Sequence, residues 1–517
     1  MKSLLRHPAA PDLLIIVCAV ALTALYVAVG GGGFALDDAW IHQTYGRNLG
    51  LTGVWAFVPG VPSAASTSPL YTILLAAGYA LGTSFQVWTH GLGAAALAGT
   101  GLLARRLAAR AAPELPGVGL AAGLACVFSW HLIWAAASGM ETALFGMWTL
   151  ALILLAWREI DAQRPAPWLR AALFGAVAAL TMLTRPEGIL LAGLCGGALL
   201  LARPGRSVRA MLGWLTIAGA VWLLIMLPYF ASNLQLAGGL LPSTNAAKRA
   251  EYAVLFELPY WSRLANVIMP LLASAMLLFA PGVLVYTAAQ VRALRRARVR
   301  WLLLLLPAWA AVLPLLYAAW LPVNYQHGRY VIPIVPALMV AGVVGTGLLL
   351  SRLRNQPLGR PLSRALAASA VLVLMGFALA LGPSAYQRDV AIINEEMVTP
   401  AQWIAANIPV YVPFAAHDIG AAGYFAPRPL LDTAGLVSPD IIPYFGDAAA
   451  MWAYLQERGI AFLMAFPDQT PGHSADDPRL CPVFQSPGTT ALDSGGQKMT
   501  VYALAYEGIC SPENLNS

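Results

Sequence analysis

Charge is what this chain has least of. Only 11% of its 517 residues are Asp, Glu, Lys or Arg, where soluble domains carry roughly 25%. With 59% hydrophobic residues and a mean hydropathy of +0.67, that scarcity excludes an ordinary soluble domain and points to an integral membrane protein. Lysine is nearly missing, at Lys2, Lys248 and Lys498 only. The formal net charge of +7 is therefore carried by arginine. Its concentration in short connections is a positive-inside signal, not a nucleic-acid surface. Cysteine is also sparse. Cys18, Cys126 and Cys195 lie in apolar runs, where they pack as small apolar residues. Cys481 and Cys510 fall in the C-terminal tail, where a disulfide is permitted but not established by spacing. No Cys or His spacing reads as a zinc site, His327 included. No small-residue cleavage site follows the first apolar run, so it reads as a retained helix.

What is present in abundance is apolar sequence. The first run covers 13–29, and further spans are expected at 87–104, 117–136, 140–157, 169–184, 187–202, 208–230, 264–289, 301–320, 329–350 and 365–382. That makes about eleven crossings. The run 69–82 is too short to cross and suits an interfacial or re-entrant helix. With the N-terminus cytoplasmic, the arginine-rich connections around 105–110, 158–170, 203–209, 292–300 and 352–364 all fall inside. They hold most of the chain's 31 Lys and Arg. A crossing at 69–82 would place them all outside.

The opposite face then collects the chain's unusual polar residues. Its loops are DDAW from Asp37, SGMET at 138–142, TRPEG at 184–188, LPSTNAAKR at 241–249 and NYQHGRY at 324–330. Asp37 and Asp38 are adjacent acids just beyond a membrane helix, costly to bury and suited to serve as a base or a metal ligand. They also fit a helix cap, although two acids exceed what a cap needs. Fixed cations suited to a departing phosphate come from Lys248, Arg185 and Arg329. Arg47, Glu141 and Glu187 complete the expected substrate-binding set. Glu141 equally suits a helix N-terminus, Arg185 and Glu187 a mutual pair across Pro186, and Arg329 a snorkelling cation. His42 is a weak ligand candidate.

These motifs resemble the GT-C superfamily of membrane glycosyltransferases. The carriers are DDAWIHQTYGRNL followed by TSPLYTILLA, then SGMETALF, LTRPEGILL, LPSTNAAK, GRYVIPIVPAL and, in the tail, HDIGAAGYFAPRPLLDTAGLVSP. The pattern is similar to arabinofuranosyltransferase-like and protein-mannosyltransferase-like branches. The resemblance implies an active site on the extracytoplasmic face of the plasma membrane. It implies transfer of a sugar from a polyprenyl-phosphate carrier to a hydroxyl of a glycan, lipid or protein, with inversion. One acid of Asp37 and Asp38 would be the general base, or a ligand of a divalent cation such as Mg or Mn in metal-dependent relatives. The family's aromatic before the lysine is replaced here by Ser243-Thr244-Asn245-Ala246-Ala247, with Lys248 retained.

The expected organisation is a membrane domain over 1–382 and an extracytoplasmic α/β domain over 383–517. In the tail a helix is expected over 386–407 and another over 447–458. Strands are expected at 410–415, 429–432, 461–466, 482–485 and 499–506. Gly420 and Gly423 do not complete a dinucleotide fingerprint. A transporter would need charges deep in its spans and paired interrupted helices, which are not seen here. A flippase or a lipid-glycan ligase for polyprenyl-linked glycans stays open, and the acid pair of the first loop is what separates an enzyme from these.

Overall fold

Long runs of Leu, Ala and Val can bury their backbone polar groups in hydrocarbon only as helices. In the computed structural model the chain is helical over most of its length, with a small sheet near the C-terminus. It describes residues 9–160, 166–242, 244–353, 356 and 359–508. Ser243 and Cys510, and with Cys510 the tail disulfide that the sequence left open, lie outside these residues. Six helices are long and apolar enough to cross a membrane: Ala10–Gly30, Pro167–Thr184, Val208–Ala237, Met276–Leu294, Tyr325–Leu353 and Gly359–Asn407. A seventh arises if Val118–Val127 and Trp130–Ala137, which meet at 52°, form one broken span. Thr142–Arg158, Gly188–Ala202 and Leu305–Trp320 are apolar but shorter, as is Pro69–Ala80. At 12 residues this last helix is about 18 Å long, well short of a bilayer core. Length and composition thus single out six or seven spans among the described residues, fewer than the eleven expected.

Two expected elements are divided differently. The run 264–289 is not one span but two helices, Tyr260–Leu272 and Met276–Leu294. Pro270 weakens the first near its end. Ser274 then serves both ends of the break, its Oγ donating to the Leu271 carbonyl at 2.8 Å and accepting from the Met276 N–H at 3.1 Å. Conversely, the expected stop at residue 382 does not occur. Helix continues from Gly359 to Asn407 through two π-turns, Phe377–Leu381 and Asn394–Val398. Each π-turn lies just before a proline, Pro383 or Pro400. A wider turn relieves the proline ring's clash with the carbonyl one turn back, so the prolines are absorbed instead of ending the helix.

Contacts group the chain into two compact units, cut differently from the expected division at 382. One holds Met1–Val29, His90–Pro228 and Val254–Ser384; the other holds Gly30–Thr89, Tyr229–Ala253 and Ala385–Ser517. In the first unit Met276–Leu294 packs closely on Val335–Leu353. The contact is backbone to backbone: a Cβ on Gly345 would overlap the Gly282 carbonyl, and one on Gly282 the Gly342 carbonyl. Small residues at such a crossing let two membrane helices touch along their main chains.

The second unit contains a five-stranded sheet in the order β2-β1-β3-β5-β4. The strands are β1 Phe414–Ala416, β2 Leu430–Asp432, β3 Phe462–Ala465, β4 Leu480–Gln485 and β5 Thr500–Leu504. β1 pairs in parallel with β2 and β3, while β5 runs antiparallel between β3 and β4. β1 starts at Phe414, not at residue 410, because Pro413 has no N–H to donate to a ladder; Val410 and Tyr411 before it stay exposed. Ala415, Leu431, Leu463, Trp452, Leu455 and Tyr502 form its apolar core. Helix Asp37–Thr52 packs against Pro69–Ala80 in the same unit, with Gly46 against Leu75 and Gly50 against the Ala76 carbonyl.

Gly345→Ala tests the closest of these helix crossings. A methyl there must displace the Gly282 backbone, so the variant is expected to lose about 1–3 kcal/mol of stability, seen as a lower unfolding temperature in detergent.

Candidate active site

The two adjacent acids start helix Asp37–Thr52 and meet different surroundings. Asp37 is buried, and both its oxygens are taken: Oδ2 accepts the Gly420 N–H at 2.6 Å and Oδ1 the Ala421 N–H at 2.8 Å. These amides open the short helix Gly420–Phe425, whose first N–H groups have no partner of their own. Gly420 is required for the approach, since a Cβ there would overlap the Asp37 carbonyl. Arg47, on the same helix as Asp37, holds the other end of Gly420–Phe425. Its guanidinium donates to the Tyr424 carbonyl at 2.6 Å and the Gly423 carbonyl at 3.3 Å, and lies 4.7 Å from the Tyr424 ring centre. A carboxylate at the N-terminus and a guanidinium at the C-terminus match the polarity of the backbone. Between them Trp40 packs against Tyr424 and Phe425, with ring centres 4.9 and 4.8 Å away.

Asp38 is partly open instead, with 28% of its side chain exposed, and its Oδ2 lies 3.6 Å from Lys248 Nζ. Lys248 is carried by helix Thr244–Glu251. Glu251 follows three positions later, which places both side chains along one helix face. Glu251 acts on a residue whose part in the site the sequence did not reveal. His417 directly follows β1, with Nδ1 3.7 Å from Asp418 Oδ2. Burial opposes its protonation, but the negative charge of Asp418 beside it, with Glu251 and Asp432, lifts it to about 8. Asp418 also accepts from Gln469 Nε2 at 2.9 Å. Asp432, buried at the end of β2, accepts the N–H groups of Ala434 and Val437 at 2.8 and 2.7 Å. Burial raises it to about 6 despite those bonds. Burial also pushes Asp37 up to about 8, with Asp418 and Asp38 adding to it and the two amides pulling the other way. Of the expected residues, the second unit thus brings together Asp37, Asp38 and Lys248, while Arg47 ties helix to helix.

The remaining expected residues form a separate cluster in the first unit. Arg185 is buried. It donates to Glu141 Oε1 at 2.7 Å, to Glu187 at 3.0 and 3.4 Å, and to the Tyr317 hydroxyl at 2.8 Å. A guanidinium held by two carboxylates and a phenol is engaged as a structural tie, and Glu187 is the partner that the Arg-Pro-Glu motif suggested. Arg329 donates to the Tyr330 hydroxyl at 3.2 Å. Arg185 and Arg329 lie 5.2 and 5.0 Å from the same Tyr330 ring centre. The loop carrying Arg329 reverses through Gln326, His327 and Gly328, all left-handed with φ of 55°, 57° and 72°. His327 packs against Trp130 and Trp134.

Comparison with known proteins addresses the fold. A family model described as a domain of unknown function, DUF8728, matches residues 386–502. No curated protein sequence matches the chain. Among solved structures, ArnT from Cupriavidus metallidurans bound to undecaprenyl phosphate aligns over 98% of this chain and 100% of its own, with 15% identity and a TM-score of 0.60. The oligosaccharyltransferase of Archaeoglobus fulgidus, tethered to an acceptor peptide, aligns over 97% of this chain and 75% of its own, with 11% identity and a TM-score of 0.60. The arabinofuranosyltransferase AftD from Mycobacteria covers 95% of this chain, which spans 40% of AftD, with 17% identity and a TM-score of 0.50. The chain has the GT-C fold. No group of three or more His, Cys, Asp or Glu among the described residues is arranged to hold a metal ion. His42, buried against Tyr71 at 5.5 Å between ring centres, packs as an aromatic. His417 and Asp418 were readable only as part of the HDIG motif, since nothing in spacing links position 417 to position 38.

Two measurements test this electrostatic picture. Asp37 and His417 are raised in the fold above their ordinary values of 3.8 and 6.5. The folded chain therefore binds more protons than the unfolded one, and stability falls as pH rises through about 8. Thermal unfolding from pH 6 to 9 should show a falling melting temperature, with a shallower decline between 6.5 and 8 in His417→Gln. Arg185→Met strands the buried Glu141 carboxylate, whose side chain is 3% exposed. Chemical unfolding should show a loss of about 3–5 kcal/mol.

Proposed function

We propose that this chain is a membrane glycosyltransferase that moves a sugar from a polyprenyl-phosphate carrier to a hydroxyl acceptor on the extracytoplasmic face. The observation that carries the reading is the division of labour between the two acids. Asp37 has both oxygens committed to backbone amides, whereas Asp38 is partly exposed and stands 3.6 Å from a lysine. A base must reach its substrate's proton, and a carboxylate already saturated with N–H donors is poorly placed to do so. Asp38 is therefore assigned the base and Asp37 the positioning residue that holds the start of its helix.

In the proposed step the acceptor oxygen attacks the anomeric carbon while its proton passes to Asp38. The bond from that carbon to the carrier phosphate breaks, and the electron pair leaves with the phosphate. Lys248, beside Asp38, offers the fixed positive charge that a departing phosphate needs. Arg185 is not given that task, because its donors are engaged by Glu141, Glu187 and Tyr317. Inversion at the anomeric carbon follows from a single displacement. The extracytoplasmic placement is supported by the clustering of arginine in alternate connections. A polyprenyl-linked donor is supported by the GT-C fold shared with an enzyme crystallised with undecaprenyl phosphate.

The test is transfer of labelled sugar from undecaprenyl-phosphate-linked donors to glycan and lipid acceptors in proteoliposomes. Asp38→Asn should lower turnover about 10²–10⁴-fold with an unchanged melting temperature. Asp37→Asn should chiefly lower the melting temperature. Full turnover by Asp38→Asn would remove this residue from the chemistry.

A further inference from the structure

Several arginines in the connections of the first unit are compensated. Arg105 pairs with Asp12 at 2.7 Å, Arg170 and Arg206 both pair with Glu159 at 2.7 Å, and Arg300 donates to Gln290 at 3.1 Å. Others have guanidiniums with no ion pair or hydrogen bond among the described residues, and three of these, Arg292, Arg296 and Arg352, come together. All three line one groove of about 520 Å³.

The groove's wall explains its character. Met276–Leu294 and Val335–Leu353 are both long and apolar enough to span a membrane, and they touch through Gly282 and Gly345. Beyond that contact their C-terminal ends border the groove. Along the first helix Leu284, Ala288 and Arg292 recur every fourth position, with Arg296 in the turn just beyond its end, so one face changes from apolar to cationic as it leaves the span. From Leu284 to Arg292 the rise is about 12 Å. Leu284 is 71% exposed, as a lipid-facing side chain is. Helix C-termini attract some positive charge, but only about half a unit each. Three full charges exceed that, and their mutual repulsion calls for an anion.

We propose that this groove binds an anionic phospholipid of the inner leaflet, its phosphate among Arg292, Arg296 and Arg352 and an acyl chain along Leu284, Val285 and Ala288. A basic pocket between membrane helices, on the side to which arginine distribution assigns the cytoplasm, is the setting in which anionic headgroups are held. A free phosphate could satisfy the charges but not the apolar stripe, so the two ligands are separable by experiment. The site is independent of the proposed transferase chemistry.

The full-length protein in detergent would be titrated with phosphatidylglycerol, phosphatidylcholine or inorganic phosphate, following both thermal unfolding and lipid retention by native mass spectrometry. Phosphatidylglycerol alone should be retained and raise the melting temperature. Arg352→Gln should weaken retention about five-fold, and the triple Arg292→Gln, Arg296→Gln, Arg352→Gln variant should abolish it. If the triple variant does not fold, the single variant and the lipid preference of the wild type still decide. Equal response to phosphatidylcholine, an equal shift with inorganic phosphate, or undiminished retention in Arg352→Gln would each overturn the assignment.

Discussion

The carboxylate of Asp37, accepting the amides of Gly420 and Ala421, is the contact on which the second unit depends. It joins residues 383 positions apart in the chain, and each partner exists for the other. The short helix Gly420–Phe425 has too few residues to be stable alone, and the acid pair needs a fixed backbone from which Asp38 can project. Gly420 lets the backbones meet, Arg47 closes the far end, and the Trp40 cluster fills the space between. Removing any one leaves buried polar groups unanswered.

The first unit solves a related problem by different means. Glu141, Arg185 and Glu187 place ionic groups where water is scarce, and such groups are tolerated only when every charge is met at close range. Arg185 comes closest to that condition, through its bonds to Glu141, Glu187 and Tyr317, with Tyr330 flanked by Arg185 and Arg329. The result orders three loops distant in sequence.

Much of this was legible in the sequence. Apolar runs located most of the long helices, though not Asp37–Thr52 or Thr244–Glu251, and the tail's strands appeared close to where alternation put them. The motif order was similar to GT-C enzymes, and the fold agrees. The Arg185–Glu187 pair was the alternative that their spacing across Pro186 allowed beside a phosphate-binding role for Arg185. What the sequence could not show was long-range partnership. Asp37 and Asp38 look equivalent as neighbours, and only the meeting with Gly420 separates their roles. Arg47 looked like a ligand contact because a helix-capping cation and a substrate-binding one have the same chemistry. Prolines were misleading in both directions: the expected span 264–289 ran on past Pro270, where the helix breaks, and the span ending at 382 stopped short of Pro383, where it does not. Here one proline sits beside a true break that Ser274 seals, and two others are absorbed by widened turns.

Those widened turns have a consequence for phase. A π-turn holds one residue more than an α-turn, so each one rotates everything after it by about 100° relative to an unbroken α-helix. The side chains of Gly359–Gly376, Gly382–Ile393 and Thr399–Asn407 therefore occupy three separate stripes, although the backbone is continuous. Each segment can fit its own neighbours without constraining the next. Deleting a single residue from either turn would tighten the helix, press the following proline against the carbonyl behind it, and swing every later side chain to a face it was not chosen for.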